Sequence, residues 1–178
     1  VWCPQISDLA NKLQLRFYKM ILRLGTFTPT CMVLGELGQF PVSIQAKCRL
    51  FSFWHKLTYN ENKDKLSCVL YKFLFCLYNS GIYKSPYLEY VKNLFNEIGL
   101  PCYWTNQLKD IPVAADQFKM EIKTRLHDQY IQTWTTEINQ NEMFYNYRMF
   151  KENFQFEKYL SRTLNHKLPI QKGRIDGI

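Results

Sequence analysis

The chain has 178 residues, 47% of them apolar in the wide sense and 21% charged, which is enough apolar material for a folded core and excludes wholesale disorder. Seven glycines and seven prolines exclude a collagenous or low-complexity chain. Lys and Arg number 23 against 15 Asp and Glu, a net charge of +8; residues 1–60 hold seven of the basic residues and only two acidic ones, which makes the first third the candidate phosphate-facing surface.

Residues 5–24 carry a helical period, with Ile6, Leu9, Leu13, Phe17, Met20 and Leu24 on an apolar face expected to point inward. Beside that face Lys12, Arg16, Lys19 and Arg23 follow one another at i, i+4, i+7 and i+11. Gly25 is the natural stop. Thr28-Pro29 reads as an N-cap followed by Pro at the first helical position, opening a short helix over 30–37 that Gly35 interrupts and Gly38 closes. The next helix begins at Phe40-Pro41 and runs to about Thr58, with Ile44, Cys48, Phe51, Trp54 and His55 on its apolar face and Arg49 in a polar stripe. Tyr59 to Lys65 is a solvated loop. Leu66 to Tyr78 is apolar nearly all round and reads as the buried central helix.

Ser85-Pro86 starts a helix that Gly99 and Pro101 end, and a connector over 102–112 follows. A long helix is predicted over 113–139. Ala115, Phe118, Ile122 and Leu126 point one way and Tyr130, Trp134 and Ile138 another, so it kinks or changes partner near Leu126. Residues 142–162 give one or two short helices. The expectation is an all-α, irregular bundle of about seven or eight helices. It forms one domain over 1–162, with any subdivision near 99–112, and is followed by a basic tail over 163–178 that leads into a further segment.

No pair among the six cysteines stands at Cys-x-x-Cys spacing, so no zinc site is expected, and Cys48, Cys68 and Cys76 read as buried thiols. His55, on an apolar face, reads as a core histidine. No nucleophile elbow, phosphate loop or magnesium-binding carboxylate set is present in the sequence, so the chain itself is expected to be non-catalytic and to need no cofactor. No apolar stretch is long enough to cross a membrane. Most of the 29 aromatics belong to the core at helical spacing. Around Tyr145 they alternate with Arg148 and Lys151, and rings interleaved with cations suit single-stranded nucleic acid. The cations of the first helix are more specific than the net charge. Only Asp8 can pair with one of them, Lys12, and the four extend over about 16 Å of helix, a length suited to a polyphosphate track. A plain solvated face is the bland alternative.

Several segments, in order, carry a resemblance: Leu15 to Leu22, Val33 to Pro41 with its Gly-Glu-Leu-Gly core, Phe53-Trp54, Leu126 to Trp134, Tyr147 to Lys151, Asn153 to Leu160 and Asn165 to Arg174. Together they resemble the region downstream of the reverse transcriptase domain in LINE-type (non-LTR) retrotransposon polyproteins, over about residues 9–174. The resemblance implies an intracellular parent protein, in nucleus and cytoplasm, with reverse transcriptase and endonuclease activities. It also implies a zinc motif beyond Arg174. The polymerase's catalytic aspartates and that zinc motif are not in this sequence, so no catalytic residue carries over. The implied partners are RNA or DNA and the reverse transcriptase domain of the parent chain. The candidate nucleic-acid contacts are Lys12, Arg16, Lys19, Arg23, Arg49, Tyr145, Arg148 and Lys151. The alternative is a helical protein-interaction or scaffold module with no nucleic-acid role.

Overall fold

The computed structural model describes residues 4–59, 64–107 and 113–161, with side chains from Asp8 onward. The Ile6 side chain, the segment Asn165 to Arg174 and the tail predicted over 163–178 lie outside the described part of the chain. Among the described residues the protein is all-α. The helices are α1 (Pro4–Leu22), α2 (Thr30–Leu37), α3 (Val42–Tyr59), α4 (Leu66–Asn79), α5 (Pro86–Glu97), α6 (Pro101–Asn106), α7 (Ala115–Gln140) and α8 (Tyr145–Phe150), with a 3₁₀ turn at Glu142–Phe144. The short α6 lies in the segment expected to be a connector. Two compact units divide the chain, one of residues 1–14 and 41–133, the other of 15–40 and 134–178.

In the first unit, α3 packs on α4 and α5 on α6. Phe51, Trp54, Phe95 and Phe118 are fully buried, and their rings meet edge-on or tilted, as the aromatic quadrupole favours. A buried relay ties this core to α4 and α6. The Trp54 indole N–H donates to the Tyr71 hydroxyl (2.8 Å), which donates to Gln107 Oε1 (2.6 Å), and Gln107 Nε2 donates to the Trp104 carbonyl (2.9 Å). Each interior polar group in the relay therefore has a partner. His55 Nε2 lies 2.9 Å from the Val113 carbonyl; a carbonyl can only accept, so that nitrogen carries the proton. Burial holds the His55 pKa below its ordinary value, outweighing the stabilising carbonyl. Helix α5 starts as its sequence dictates, with Ser85 Oγ accepting the Leu88 N–H and Pro86 in the first turn.

Two helical faces depart from expectation. On α4 only Cys68, Tyr71 and Phe75 are buried, while Leu66, Val69, Leu70, Phe73 and Leu74 are exposed, so α4 is a surface helix and not the central one. Cys76 is exposed with them, and Cys48 is half-buried. On α1 the face expected inside is outward: Leu9, Leu13, Phe17 and Met20 are all exposed, as is Leu24 just past its end. Within the first unit the inward face of α1 is polar. Gln14 Oε1 accepts the Val42 N–H (2.9 Å), and Asn11 accepts the Ser43 N–H (3.0 Å) while donating to Ser43 Oγ (3.1 Å). The opening turn of any helix leaves its N–H groups without intrahelical partners. Here α1 supplies the cap from a distance, and that requirement orients it. At the other end of α1, Arg23 takes the left-handed conformation (φ 55°), with the Leu24 N–H returning to the Lys19 carbonyl (2.8 Å), so the helix stops two residues before Gly25.

The second unit is built on α2. Val33, Leu37 and Leu160 form its buried cluster, with Leu15, Tyr18 and Leu22 of α1 packed against them. Thr28 makes no cap; Pro29 occupies the cap position and α2 runs uninterrupted through Gly35 to Gly38. The long α7 stays helical throughout, and its partner changes as the drift of its apolar residues requires. Phe118, Ile122 and Leu126 are buried in the first unit, and Trp134 and Ile138 in the second. Ala115, expected inside, is exposed in the first turn.

Candidate nucleic-acid interface

The eight sequence-predicted contacts fall into two sets. Lys12, Arg16 and Arg23 are exposed and have no hydrogen-bond or ion-pair partner among the described residues. Lys19, on the same helix, is half-buried and its ammonium donates to the Thr26 carbonyl (2.6 Å), which uses one of its three donors to hold the turn after α1. Arg49 is exposed on α3, in the first unit, and is already engaged by a neighbour. Since Arg23 is in the left-handed conformation, it leaves the helical register that the spacing assumed, and Lys12, Arg16 and Lys19 are the members still inside α1.

The set around Tyr145 is already committed to the fold. Arg148 Nη1 donates to the Asn139 carbonyl (2.5 Å) in the last turn of α7, where unpaired carbonyls and the helix dipole favour a cation, and its guanidinium lies 5.7 Å from the Tyr145 ring centre. Tyr145 itself is exposed. Lys151 is a correction. It is only 5% exposed, and its ammonium donates to the Gln155 carbonyl (2.7 Å) and to the Glu157 carboxylate. The chain after α8 bends so that Glu157, six residues on, reaches it, a pairing that no helical spacing rule would anticipate.

Parts of four motifs that carried the resemblance, the Gly-Glu-Leu-Gly core, Trp134, Tyr147 and residues 153–160, meet one another in the second unit. A Cβ on Gly35 would stand 2.9 Å from the Trp134 ring and from the Tyr147 hydroxyl. Gly38 (φ 56°) lies against the backbone of Gln155 and Phe156, and the Glu157 N–H donates to the Glu36 carbonyl (3.0 Å). The Tyr159 hydroxyl donates to the Glu36 carboxylate, the Phe154 ring meets Phe40 tilted (5.0 Å) and Trp134 edge-on (5.3 Å), and the Trp134 N–H donates to the Cys31 carbonyl (2.8 Å). Burial and the nearby Glu36 carboxylate raise the pKa values of Tyr147 and Tyr159. Burial, with Glu137 adding, pushes the Cys31 thiol up to about 12, so it stays protonated and inert at neutral pH. The residues 151–160 thus act as a strap over α2, and the glycines are required where that strap and the Trp134 ring come closest. The signal was legible as a motif but not as chemistry, because its role is packing.

An open groove of about 550 Å³ in the first unit is lined by Tyr78, Gly81, Tyr83, Lys84, Ser85, Pro86 and Glu89. Its one hydroxyl nucleophile, Ser85, is occupied in capping α5, and Tyr78 donates to Glu89. Among the described residues, no three His, Cys, Asp or Glu side chains come close enough to hold a metal ion, and no helix is long and apolar enough to cross a membrane. No family model, curated protein or solved structure matches the chain.

Proposed function

We propose that the chain is a non-catalytic helical connector of a retrotransposon-like reverse transcriptase protein and contacts template RNA or target DNA through the cations of α1. The observation that carries this reading is the exposure of Lys12 and Arg16 on α1, with Arg23 just past its end, without an acidic partner among the described residues. Cations left unpaired along a helix suit phosphates, because each phosphate neutralised releases counterions. Arg49 and the Tyr145–Arg148 pair are secondary contacts, and Lys151 drops out. The non-catalytic part of the reading rests on groups already spoken for: a capping Ser85, a protonated Cys31 and a His55 whose donor nitrogen is bound.

Fluorescence anisotropy with labelled structured RNA, single-stranded DNA and duplex DNA, each over a salt series, tests it. Binding should weaken linearly in a log–log plot, and Lys12→Glu with Arg16→Glu should lower the slope by about two charges. Affinity that does not change in that double variant overturns the reading.

A second reading has its own observation. The outward Leu9, Leu13, Phe17 and Met20 of α1 form an apolar stripe that a soluble surface does not need, and the cations border it. This favours an interaction module in which α1 packs on a partner polypeptide, such as the polymerase domain of a parent chain. A folded protein with no nucleic-acid affinity at low salt would select it.

A further inference from the structure

On α1 an exposed apolar row and two exposed cations run side by side. Positions three and four apart on a helix are neighbours, about 5–6 Å between Cβ atoms. Lys12 therefore stands next to Leu9, and Arg16 next to both Leu13 and Met20. Leu9, Leu13, Phe17 and Met20 are each more than half exposed. At 100° per residue the apolar row covers about 80° of the helix, and both cations lie on one border of it. The other border carries no cation. The Phe17 ring meets Tyr18 tilted at 46°, so among the described residues no ring lies flat on it.

We propose that α1 takes its nucleic acid as a single strand, with phosphates on Lys12 and Arg16 and base faces on the apolar row. This rests on the nucleic-acid reading above and names the form of its ligand. The two rows demand a partner that is anionic along one edge and apolar along the other. An unpaired strand is such a partner, because its phosphates follow one edge and the faces of its bases are open to apolar and aromatic side chains. A duplex is not. Its groove presents donors and acceptors on the base-pair edges, and Leu9, Leu13, Phe17 and Met20 have nothing to pair with them, so burying that row in a groove would strand polar groups. An anionic bilayer suits an apolar face with cations along both borders, whereas here one border has none. Lys12 and Arg16 are about 6 Å apart along the axis, so the strand runs along the helix rather than across it.

The test is fluorescence anisotropy of the full chain with three labelled probes of equal length: a single strand, the same strand annealed to its complement, and an abasic strand that keeps the phosphates and lacks the bases. The expected result is a single strand bound at least about tenfold more tightly than either of the others at the same salt. Phe17→Ala should weaken single-strand binding about fivefold or more without changing the salt slope, because it removes a base contact and no charge. Lys12→Glu should lower the slope instead. Phe27→Ala, at a fully exposed phenylalanine outside the row, should leave the affinity as it was, and an unchanged far-UV circular dichroism spectrum shows that each variant folds. An abasic strand or a duplex bound as tightly as the single strand overturns the inference and leaves the phosphate track standing. A Leu13→Ser, Phe17→Ala double variant of undiminished affinity does the same. No binding of any probe at low salt overturns the nucleic-acid reading itself, and this inference with it.

Discussion

Replacing Gly38 by Ala tests whether the strap over α2 holds the second unit together. The residue sits at φ 56°, where a side chain costs about 1–2 kcal/mol. An added Cβ would also lie 2.6 Å from the Gln155 carbonyl carbon and closer still to the Phe156 amide nitrogen, both backbone atoms with no rotamer to yield. The strap must move, which puts at risk the Glu157 N–H bond to Glu36, worth about 1 kcal/mol, and the Phe40–Phe154 ring contact, worth about another. The reduced freedom of the unfolded chain returns about 0.4–1 kcal/mol. The net expectation is a destabilisation of about 2–3 kcal/mol. Gly81 is the reference for backbone strain alone, since it has φ 74° with nothing within 4 Å of its would-be Cβ; Gly81→Ala should cost about 0.5–1 kcal/mol. Gly25, equally open and with no positive φ, should tolerate Ala at no cost. Native-state hydrogen exchange at the Gln39 and Glu157 amides reads the second unit directly. Equal protection in Gly38→Ala and Gly81→Ala would refute the claim that the strap, rather than local strain, makes glycine necessary at 38.

Two tyrosines should respond in opposite ways to loss of their hydroxyls. Tyr71→Phe strands the Trp54 N–H and Gln107 Oε1 in the core and should cost about 2–4 kcal/mol in urea unfolding, whereas the buried Tyr87 hydroxyl has no partner among the described residues, so Tyr87→Phe should be neutral or stabilising by up to about 1 kcal/mol. Glu157→Gln leaves the buried Lys151 charge uncompensated and should cost about 2–4 kcal/mol by thermal unfolding. Lys151→Met removes the charge along with its partner's role and should cost less; the reverse order would contradict the buried-pair account. Burial lowers the pKa of His55, so the folded state binds fewer protons than the unfolded one below the ordinary histidine value of about 6.5. Its contribution to stability is therefore complete above about pH 6.5 and declines as the pH falls below that. His55→Gln should flatten that part of the stability–pH curve, and a slope of unchanged steepness would place the titration elsewhere.

Helix positions were legible because their punctuation is local. Ser85-Pro86 opens α5, Gly38 closes α2, and the drift of apolar residues along α7 marks where it leaves one unit for the other. The side each helix buries was less legible, because an apolar stripe states a preference without naming what satisfies it. On α1 the decision came from two carboxamides, Asn11 and Gln14, that a period count scores as surface residues and that cap the first turn of α3 some thirty positions away in sequence. On α4 both faces are apolar, and the pattern could not choose between them; the Tyr71 hydroxyl did, because only one orientation completes the relay from Trp54 to Gln107.

The candidate interface follows the same logic. The sequence counts a cation as available when no acid lies three or four residues away, and that rule serves within α1, where Lys12 and Arg16 remain exposed. It fails at Lys151, in a bend where a carboxylate six residues on is the nearest neighbour, and at Arg148, whose partner is a helix-end carbonyl rather than an acid. It fails too at Lys19 and Arg49, which sit on regular helices and have partners, so the proposed polyphosphate contact on α1 rests chiefly on Lys12 and Arg16. The same helix also turns its apolar stripe outward. A partner seated on that stripe would leave the adjacent row of cations at its rim, so phosphate contact and protein contact on α1 compete only if the bound strand is wide enough to cover both.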